Sequence, residues 1–186
     1  MRNKIIEGYL KEFHFYEMLG RKTINILTEE QLLWKASTES NSIGNIVHHI
    51  AGNMISRWTD FLTTDGEKEW RNRDNEFEDV LNSKENIFKR WEEGWKCLFT
   101  AIESLTDDDL SSIIYIRNQG HTVQEAINRQ LAHYPYHIGQ LVFIGKLLQN
   151  ENWESLSIPK GGSKVYNKTQ FDQGKRKEHF TDKFRK

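Results

Sequence analysis

The sequence predicts an all-α fold, a four-helix bundle followed by a C-terminal extension. Apolar residues recur at three- and four-residue steps over four long segments, about residues 2–27, 43–62, 79–105 and 122–149. The chain of 186 residues has only two prolines and is 12% aromatic, which suits helices around a bulky core. We therefore expect residues 1–150 to form the bundle and residues 151–186 to form the extension.

Capping residues mark where the predicted helices begin. Thr28 and Gln31 have the spacing of a capping box, which predicts a short helical turn after the first helix. Ser42 ends a polar stretch and is a good N-cap for the second helix. Thr122 and Glu125 form another capping box, so the fourth helix is expected to open there.

Two connections between the helices carry information. Residues 63–75 are polar and unpatterned, and they exceed the roughly 2–8 residues that usually join antiparallel helices. This length favours a long crossover between helices two and three, which lets the two run parallel. Residues 113–116, followed by Asn118 and Gly120, predict a short extended excursion with a turn.

Charge restricts the partners that the chain can have. The formal net charge is −1, but residues 160–186 carry +6 and the remainder carries −7. An acidic body with a basic tail gives no support for nucleic acid or an anionic membrane as partner. We expect the first part of the extension to pack on the bundle and its basic end, beyond about residue 174, to fray.

Composition also predicts the compartment. Cys97 is the single cysteine, which excludes an internal disulfide framework and fits a reducing environment. The N-terminal residues lack the apolar core of a signal peptide, and no apolar run approaches the ~20 residues that span a bilayer. These features predict a cytoplasmic protein.

The strongest chemical signal is a set of histidines on two predicted helices. His133 and His137 stand four residues apart, so both imidazoles project from one face of the fourth helix. A metal held by side chains usually needs at least a third ligand, and the second helix offers His48 or His49. The helical wheel favours His49, which shares its face with Asn45, but does not decide between the two. Three neutral imidazoles suit Zn²⁺, and also Ni²⁺, Fe²⁺ or Mn²⁺.

Other residues carry weaker signals. Cys97 is next to the core position Leu98 and has no histidine or basic residue nearby in the pattern. Because burial among apolar groups raises the pKa of a thiol, a nucleophilic role is not expected. His14, His121 and His179 have no comparable pairing, and we expect them to be structural.

With these residues in place, the sequence resembles the DinB/YfiT-like metalloprotein superfamily, and most closely its DUF1572 branch. The stretches that carry the resemblance are residues 42–53, 57–62, 65–67, 71–74, 126–133, 137–140 and 158–159. The resemblance implies an up-down-down-up bundle, a homodimer, and His49, His133 and His137 as ligands of a divalent metal. Pro135 departs from the pattern, because a proline between two ligands removes a helical hydrogen bond and should kink the helix.

The resemblance also implies a reaction. Members of the superfamily include metal- and thiol-dependent S-transferases and a maleylpyruvate isomerase that uses a low-molecular-weight thiol. By this resemblance we expect transfer of a small-molecule thiol to a small electrophile, with Zn²⁺ or Ni²⁺ as the first choice of metal. Arg57, Arg71 and Arg129 are candidates for holding an anionic cosubstrate.

Two alternative functions remain open at this point. A metal-dependent hydrolase would use the same three ligands, but it needs a base beside the metal that the spacing does not identify. A non-catalytic metal-binding or stress-response protein would have a closed site without an exchangeable position.

Overall fold

In the computed structural model, which describes residues 4–182, the chain is mostly helical. The long helices are α1 (Lys4–Ile26), α3 (Ile43–Trp58), α4 (Lys84–Glu103) and α5 (Val123–Gln149), and the short ones are α2 (Glu29–Leu33) and α6 (Ser163–Asp172). Strands β1 (Ile113–Ile116) and β2 (Gln119–Thr122) form an antiparallel hairpin, where the sequence predicts an extended excursion. None of the helices in this range combines the length and the apolar character that crossing a bilayer requires.

The predicted helix starts are confirmed by their caps. Thr28, Ser42 and Thr122 each stand at an N-cap, and each side chain accepts a hydrogen bond from the backbone N–H three residues later. The side chain at that later position accepts a hydrogen bond from the backbone N–H of the N-cap residue. These reciprocal bonds satisfy N–H groups that have no partner inside the helix.

Two predicted boundaries are wrong by a turn or more. Helix α3 ends at Trp58 rather than near residue 62, because Asp60 adopts a positive φ of 48° and its carbonyl accepts the Thr63 N–H in a turn. Helix α4 begins at Lys84 rather than near residue 79, because Ser83 provides the N-cap. The residues before Ser83 include a 3₁₀ turn, Asp74–Phe77, which packs on α3.

The core lies between the long helices. Helix α3 packs most extensively on α4, and α1 packs on α5. Phe13, Trp91 and Tyr134 are among the fully buried side chains, and each such burial stabilises the fold by about 1.5–3 kcal/mol. A Cβ at Gly94 would lie 2.7 Å from the Cα of Ala51, so this glycine permits the close approach of α4 to α3.

The connection between α3 and α4 is tied to the β-hairpin. The Gly66 N–H donates to the Tyr115 carbonyl at 2.8 Å. The Asp65 carboxylate accepts the backbone N–H groups of Arg117 and Asn118, each at 2.8 Å. This segment, predicted as a polar and unpatterned crossover, is therefore ordered. It is hydrogen-bonded to the hairpin that directly precedes α5.

In the first part of the C-terminal extension, which was expected to pack on the bundle, Trp153 lies beside Gly145 of α5. Helix α6, in the part that was expected to pack, exposes Val165 and Phe171 by 73% and 82%. Residues 179–182, in the part that was expected to fray, contact α1: Thr181 is buried, and Lys11 pairs with Asp182 at 3.0 Å. The last four residues of the predicted basic end lie outside the described residues. Ion pairs with α1 and the contact of Phe180 with Phe15 hold this end, and isolated contacts of this kind leave no periodic signal in the sequence.

Candidate metal centre

Three histidines from two helices meet at one point of the structure. The Nε2 atoms of His133 and His137 on α5 are 3.2 Å apart. One ring nitrogen of His49 on α3 joins them, so that the three nitrogens lie within 4.8 Å of one another. The structure therefore brings together the three side chains that the resemblance implies as ligands. Their role as ligands stays a prediction.

The structure places His49, and not His48, at this point. His49 is 5% exposed and lies on the buried side of α3 with Asn45 and Asn53. Adjacent helical residues point about 100° apart, so His48 is directed elsewhere, and its buried Nδ1 has no hydrogen-bond partner. On the opposite wall, α5 continues through Pro135, and His133 and His137 keep their common face.

Each of the three imidazoles has a side-chain oxygen at its Nδ1 atom. The oxygens belong to Glu76 for His49 (3.0 Å), Gln130 for His133 (3.3 Å) and Gln140 for His137 (2.8 Å). Carboxylate and amide oxygens accept hydrogen bonds, so each Nδ1 is placed to donate its proton to the oxygen beside it. This leaves the lone pair of each Nε2 available, which is the arrangement that metal-bound histidines commonly have.

Glu76 is the site residue that sequence reasoning missed. It is 3% exposed, and Arg71 binds its carboxylate in a bidentate manner, at 2.7 Å from Nε and 2.9 Å from a terminal nitrogen. A Cβ at position 52 would lie 2.2 Å from Glu76 Oε1, so Gly52 leaves the space that this carboxylate occupies. Burial would raise the pKa of Glu76, but hydrogen bonds from His49 and Arg71 bring it below its ordinary value.

Burial keeps the α5 histidines neutral. It lowers the pKa of His133 from 6.5 to about 3, with further contributions from the nearby His137 and His49 rings and from Arg129. Burial also lowers the pKa of His137, although its hydrogen bond to Gln140 opposes the effect. A neutral imidazole is the form that binds a metal, so these rings need lose no proton to do so at pH 7.

The donor set fits a divalent transition metal. Three imidazole nitrogens converge and their outer nitrogens are held by oxygens, which suits zinc, nickel or iron and leaves coordination positions for a further ligand. The nearby carboxylate of Glu76 is engaged by His49 and Arg71, so it serves as their partner.

A cavity of about 220 Å³ lies beside the histidines, and we call it the arginine–histidine cavity. It is lined by His49 and His133 and by Arg57, Arg71, Arg73, Arg117 and Arg129. The three arginines predicted from the sequence all line it, and the pattern missed the other two. Arg73 lies within the unpatterned stretch 63–75 and Arg117 lies in the turn of the hairpin, so neither position could be related to the site by periodicity.

The other predicted candidates lie outside this cluster. Cys97 lines a separate groove of about 710 Å³ formed by α3, α4 and the turn after α3, and we call it the Cys97 groove. Burial raises the pKa of the Cys97 thiol, as expected. His14 stacks on Phe99, and His179 lies 3.4 Å from Glu12. His121 lies on β2.

Comparison with known proteins gives a family without a function. A family model described as "Protein of unknown function (DUF1572)" matches residues 2–162. This match confirms the predicted resemblance to DUF1572. No curated protein and no solved structure matches the sequence. What the protein does must therefore be argued from its site.

Proposed function

This chain belongs to the DUF1572 family, and we propose that it is a DinB-like metal-dependent enzyme in which His49, His133 and His137 hold a divalent cation. The observation that carries the proposal is the convergence of three imidazoles whose Nδ1 atoms all contact side-chain oxygens. Any buried histidine needs a hydrogen-bond partner, but the meeting of three such rings at one point is the arrangement that suits a divalent metal.

The proposal includes the DinB-like arrangement of the long helices. We propose that α1, α3, α4 and α5 form a four-helix bundle with an up-down-down-up path. The pairing of α3 with α4 and of α1 with α5, and the long connection before α4, support it. The homodimer that the resemblance implies stays a prediction, which light scattering of the purified protein would test.

The reaction that we propose is transfer of a small thiol to a small electrophile. A divalent cation, preferably Zn²⁺ or Ni²⁺, supplies one property to such a site: it lowers the pKa of a thiol that it binds. The thiol loses its proton to solvent, and its sulfur forms a bond to an electrophilic carbon. The leaving group of that carbon departs with the electron pair of the broken bond.

The residues around the cluster prepare it for this chemistry. Glu76 holds the Nδ1 proton of His49, and Arg71 holds Glu76 in turn, so the ring cannot rotate freely. Asn53 lines the cavity and accepts a hydrogen bond from the buried Tyr134 hydroxyl at 3.0 Å. Fixed side chains of this kind keep a site close to its productive geometry.

The two alternative functions have less support. Hydrolysis would use a general base, but no carboxylate lines the arginine–histidine cavity in the part of the chain that the structure describes. Glu76 is engaged by His49 and Arg71. A purely structural metal centre would be closed, whereas the cavity beside His49 and His133 gives a further ligand access.

Metal analysis of the purified protein tests the site. We expect about one equivalent of metal in the wild type and none in the variant His49→Ala/His133→Ala/His137→Ala. The matched control His14→Ala/His121→Ala/His179→Ala removes as many histidines outside the cluster and should retain the metal. Equal metal content in the wild type and the cluster variant would reject the site.

A screen of small thiols tests the reaction. The protein, loaded with Zn²⁺ or Ni²⁺, is mixed with cysteine, glutathione or coenzyme A and with a fluorogenic electrophile such as a bimane. We expect conjugation above the uncatalysed rate with at least one thiol, and its loss in the cluster variant. The absence of metal-dependent conjugation with any thiol tested would contradict the transferase proposal.

A further inference from the structure

The arginine–histidine cavity carries more positive charge than its surroundings neutralise. Five guanidinium groups line it. Three carboxylates offset part of this positive charge: Glu67 and Glu76 form ion pairs with the arginines, and Asp65 lies close to Arg57. Five guanidinium groups against three carboxylates leave two positive charges, before the histidines or any metal are counted. Like charges this close repel one another unless an anion joins them.

The arginines divide into two groups by their contacts. Arg57 and Arg71 are buried and are held by Glu67 and Glu76, with Arg57 also donating to the Gly66 carbonyl. Arg117 contacts Glu67 as well, at 3.0 Å. These contacts fix the floor of the cavity, so two of the three arginines predicted to hold a cosubstrate already have protein partners.

Arg73 and Arg129 form the second group. Both line the cavity and are exposed, and neither guanidinium group makes a hydrogen bond or an ion pair with another residue among those described. Both guanidinium groups are therefore available to an anionic ligand.

The size of the cavity limits what can enter. Its volume of about 220 Å³ corresponds to roughly seven water molecules, and it is below the ~300–1,000 Å³ of sites for drug-sized ligands. A four-carbon dicarboxylate or a phosphate group fits this space, whereas a whole nucleotide does not. Guanidinium groups bind both of these anions in bidentate geometry.

We propose that Arg73 and Arg129 bind the doubly negative end of a small molecule, formed by two carboxylates or one phosphate. The proposal rests on the proposed function for the role of this molecule, which is the thiol cosubstrate. Its anionic end lies among the arginines, and the rest reaches His49 and His133 at the neighbouring wall. Of the three arginines predicted to hold the cosubstrate, Arg129 remains an anion contact. Arg73 takes the place of Arg57 and Arg71.

Isothermal titration of metal-free protein with simple anions tests the inference. Succinate and inorganic phosphate are the two probes, acetate is the singly charged control, and ionic strength is held constant with chloride. We expect at least one dianion to bind about tenfold tighter than acetate. The tighter of the two identifies the anionic group as carboxylates or phosphate. Equal affinity for both dianions and acetate would overturn the proposal.

Paired variants locate the binding. Arg73→Ala/Arg129→Ala should weaken dianion binding about tenfold to hundredfold. Arg21→Ala/Arg176→Ala removes the same charge elsewhere and should leave it unchanged. The first pair lies on the surface, and a circular dichroism spectrum verifies that the fold is retained. If both variants lose dianion affinity equally, the overall charge of the protein explains the effect and the site is rejected.

The cluster variant separates this inference from the proposed function. His49→Ala/His133→Ala/His137→Ala retains all five arginines, so we expect it to bind the dianion within a few-fold of the wild type. If metal analysis rejects the metal centre while the arginine variant loses dianion binding, the anion site stands alone. If metal is present and neither dianion binds better than acetate, only this inference fails.

Discussion

Two features near α3 that offer space for a ligand differ in size and in chemistry. The Cys97 groove has about three times the volume of the arginine–histidine cavity, about 710 against 220 Å³. It contains the single cysteine, but no cluster of histidines or arginines faces it. The smaller cavity has three histidines at one point and five guanidinium groups around it. Convergent polar groups, rather than volume, identify the candidate site.

Burial shifts the pKa of the reactive groups in both places, upward for the thiol and downward for the histidines. In the Cys97 groove it raises the pKa of the thiol, which removes the thiolate that nucleophilic chemistry requires. At the cluster it lowers the pKa of His133 and His137, which preserves the neutral ring that a metal requires. The same loss of hydration therefore disables one residue type and prepares the other.

The largest effect that distinguishes the two places is expected from Glu76→Ala. It leaves the Arg71 side chain, which is 2% exposed, with the longer 3.8 Å contact to Glu67, and losing the bidentate partner of this buried charge costs about 3–5 kcal/mol of unfolding free energy. It also frees the His49 ring, which should weaken metal binding about tenfold to hundredfold. Urea denaturation and metal titration measure the two effects.

Glu93→Ala is the matched control for that variant. Glu93 lies at the Cys97 groove and pairs with Arg90 at 3.3 Å near the surface. An exposed pair of this kind contributes about 0–1 kcal/mol, so this variant should change stability little and metal affinity not at all. If the two variants destabilise the protein equally, Glu76 has no special structural role.

Gly52→Ala should have the second largest effect. The new Cβ would lie 2.2 Å from Glu76 Oε1, and Glu76 cannot move without breaking its bonds to Arg71 and His49. We expect destabilisation of about 1–3 kcal/mol and a lower metal affinity. The control is Gly139→Ala on α5, where a Cβ meets nothing within 4 Å. A Gly52→Ala protein that matches the wild type in both measurements would contradict the placement of Glu76.

The three histidines could be predicted from the sequence better than Glu76, the residue that holds His49 in place. The spacing of His133 and His137 fixes a common face of one helix, and the caps at Ser42 and Thr122 fix where the two helices begin, because both signals are local. Glu76 carries no such signal, since it follows an unpatterned stretch. Its position depends on contacts such as that of Asp65 with the Arg117 N–H, 52 residues away, which no periodicity encodes.

A pH titration of the metal-free protein should separate the two places by sign. In the unfolded chain His133 takes up a proton near pH 6.5, whereas in the folded protein it does so only near pH 3. Below pH 6.5 the unfolded state therefore binds more protons, and stability falls as the pH drops. The lowered pKa of Glu76 adds a loss in the same direction below about pH 4.5.

The Cys97 groove should respond on the alkaline side. The unfolded thiol loses its proton near pH 9.0, whereas burial makes the folded thiol retain it, so stability falls as the pH rises above 9.0. Urea midpoints from pH 4.5 to 10 measure both limbs. His133→Asn should flatten the acid limb and Cys97→Ser the alkaline limb. An acid limb that is unchanged in His133→Asn would show that other groups control it.

The smallest effect is expected from Cys97→Ser. Its thiol lies 3.6 Å from the Thr59 hydroxyl, and a serine hydroxyl can use the same partner, so we expect a stability change within about 1 kcal/mol. Metal content, dianion binding and thiol conjugation should match those of the wild type, because none of them involves the groove. In the wild type, a disulfide reagent should label Cys97 far more slowly at pH 7 in the folded protein than in urea. A loss of conjugation in Cys97→Ser, with metal retained, would instead give the thiol and its groove a part in the reaction.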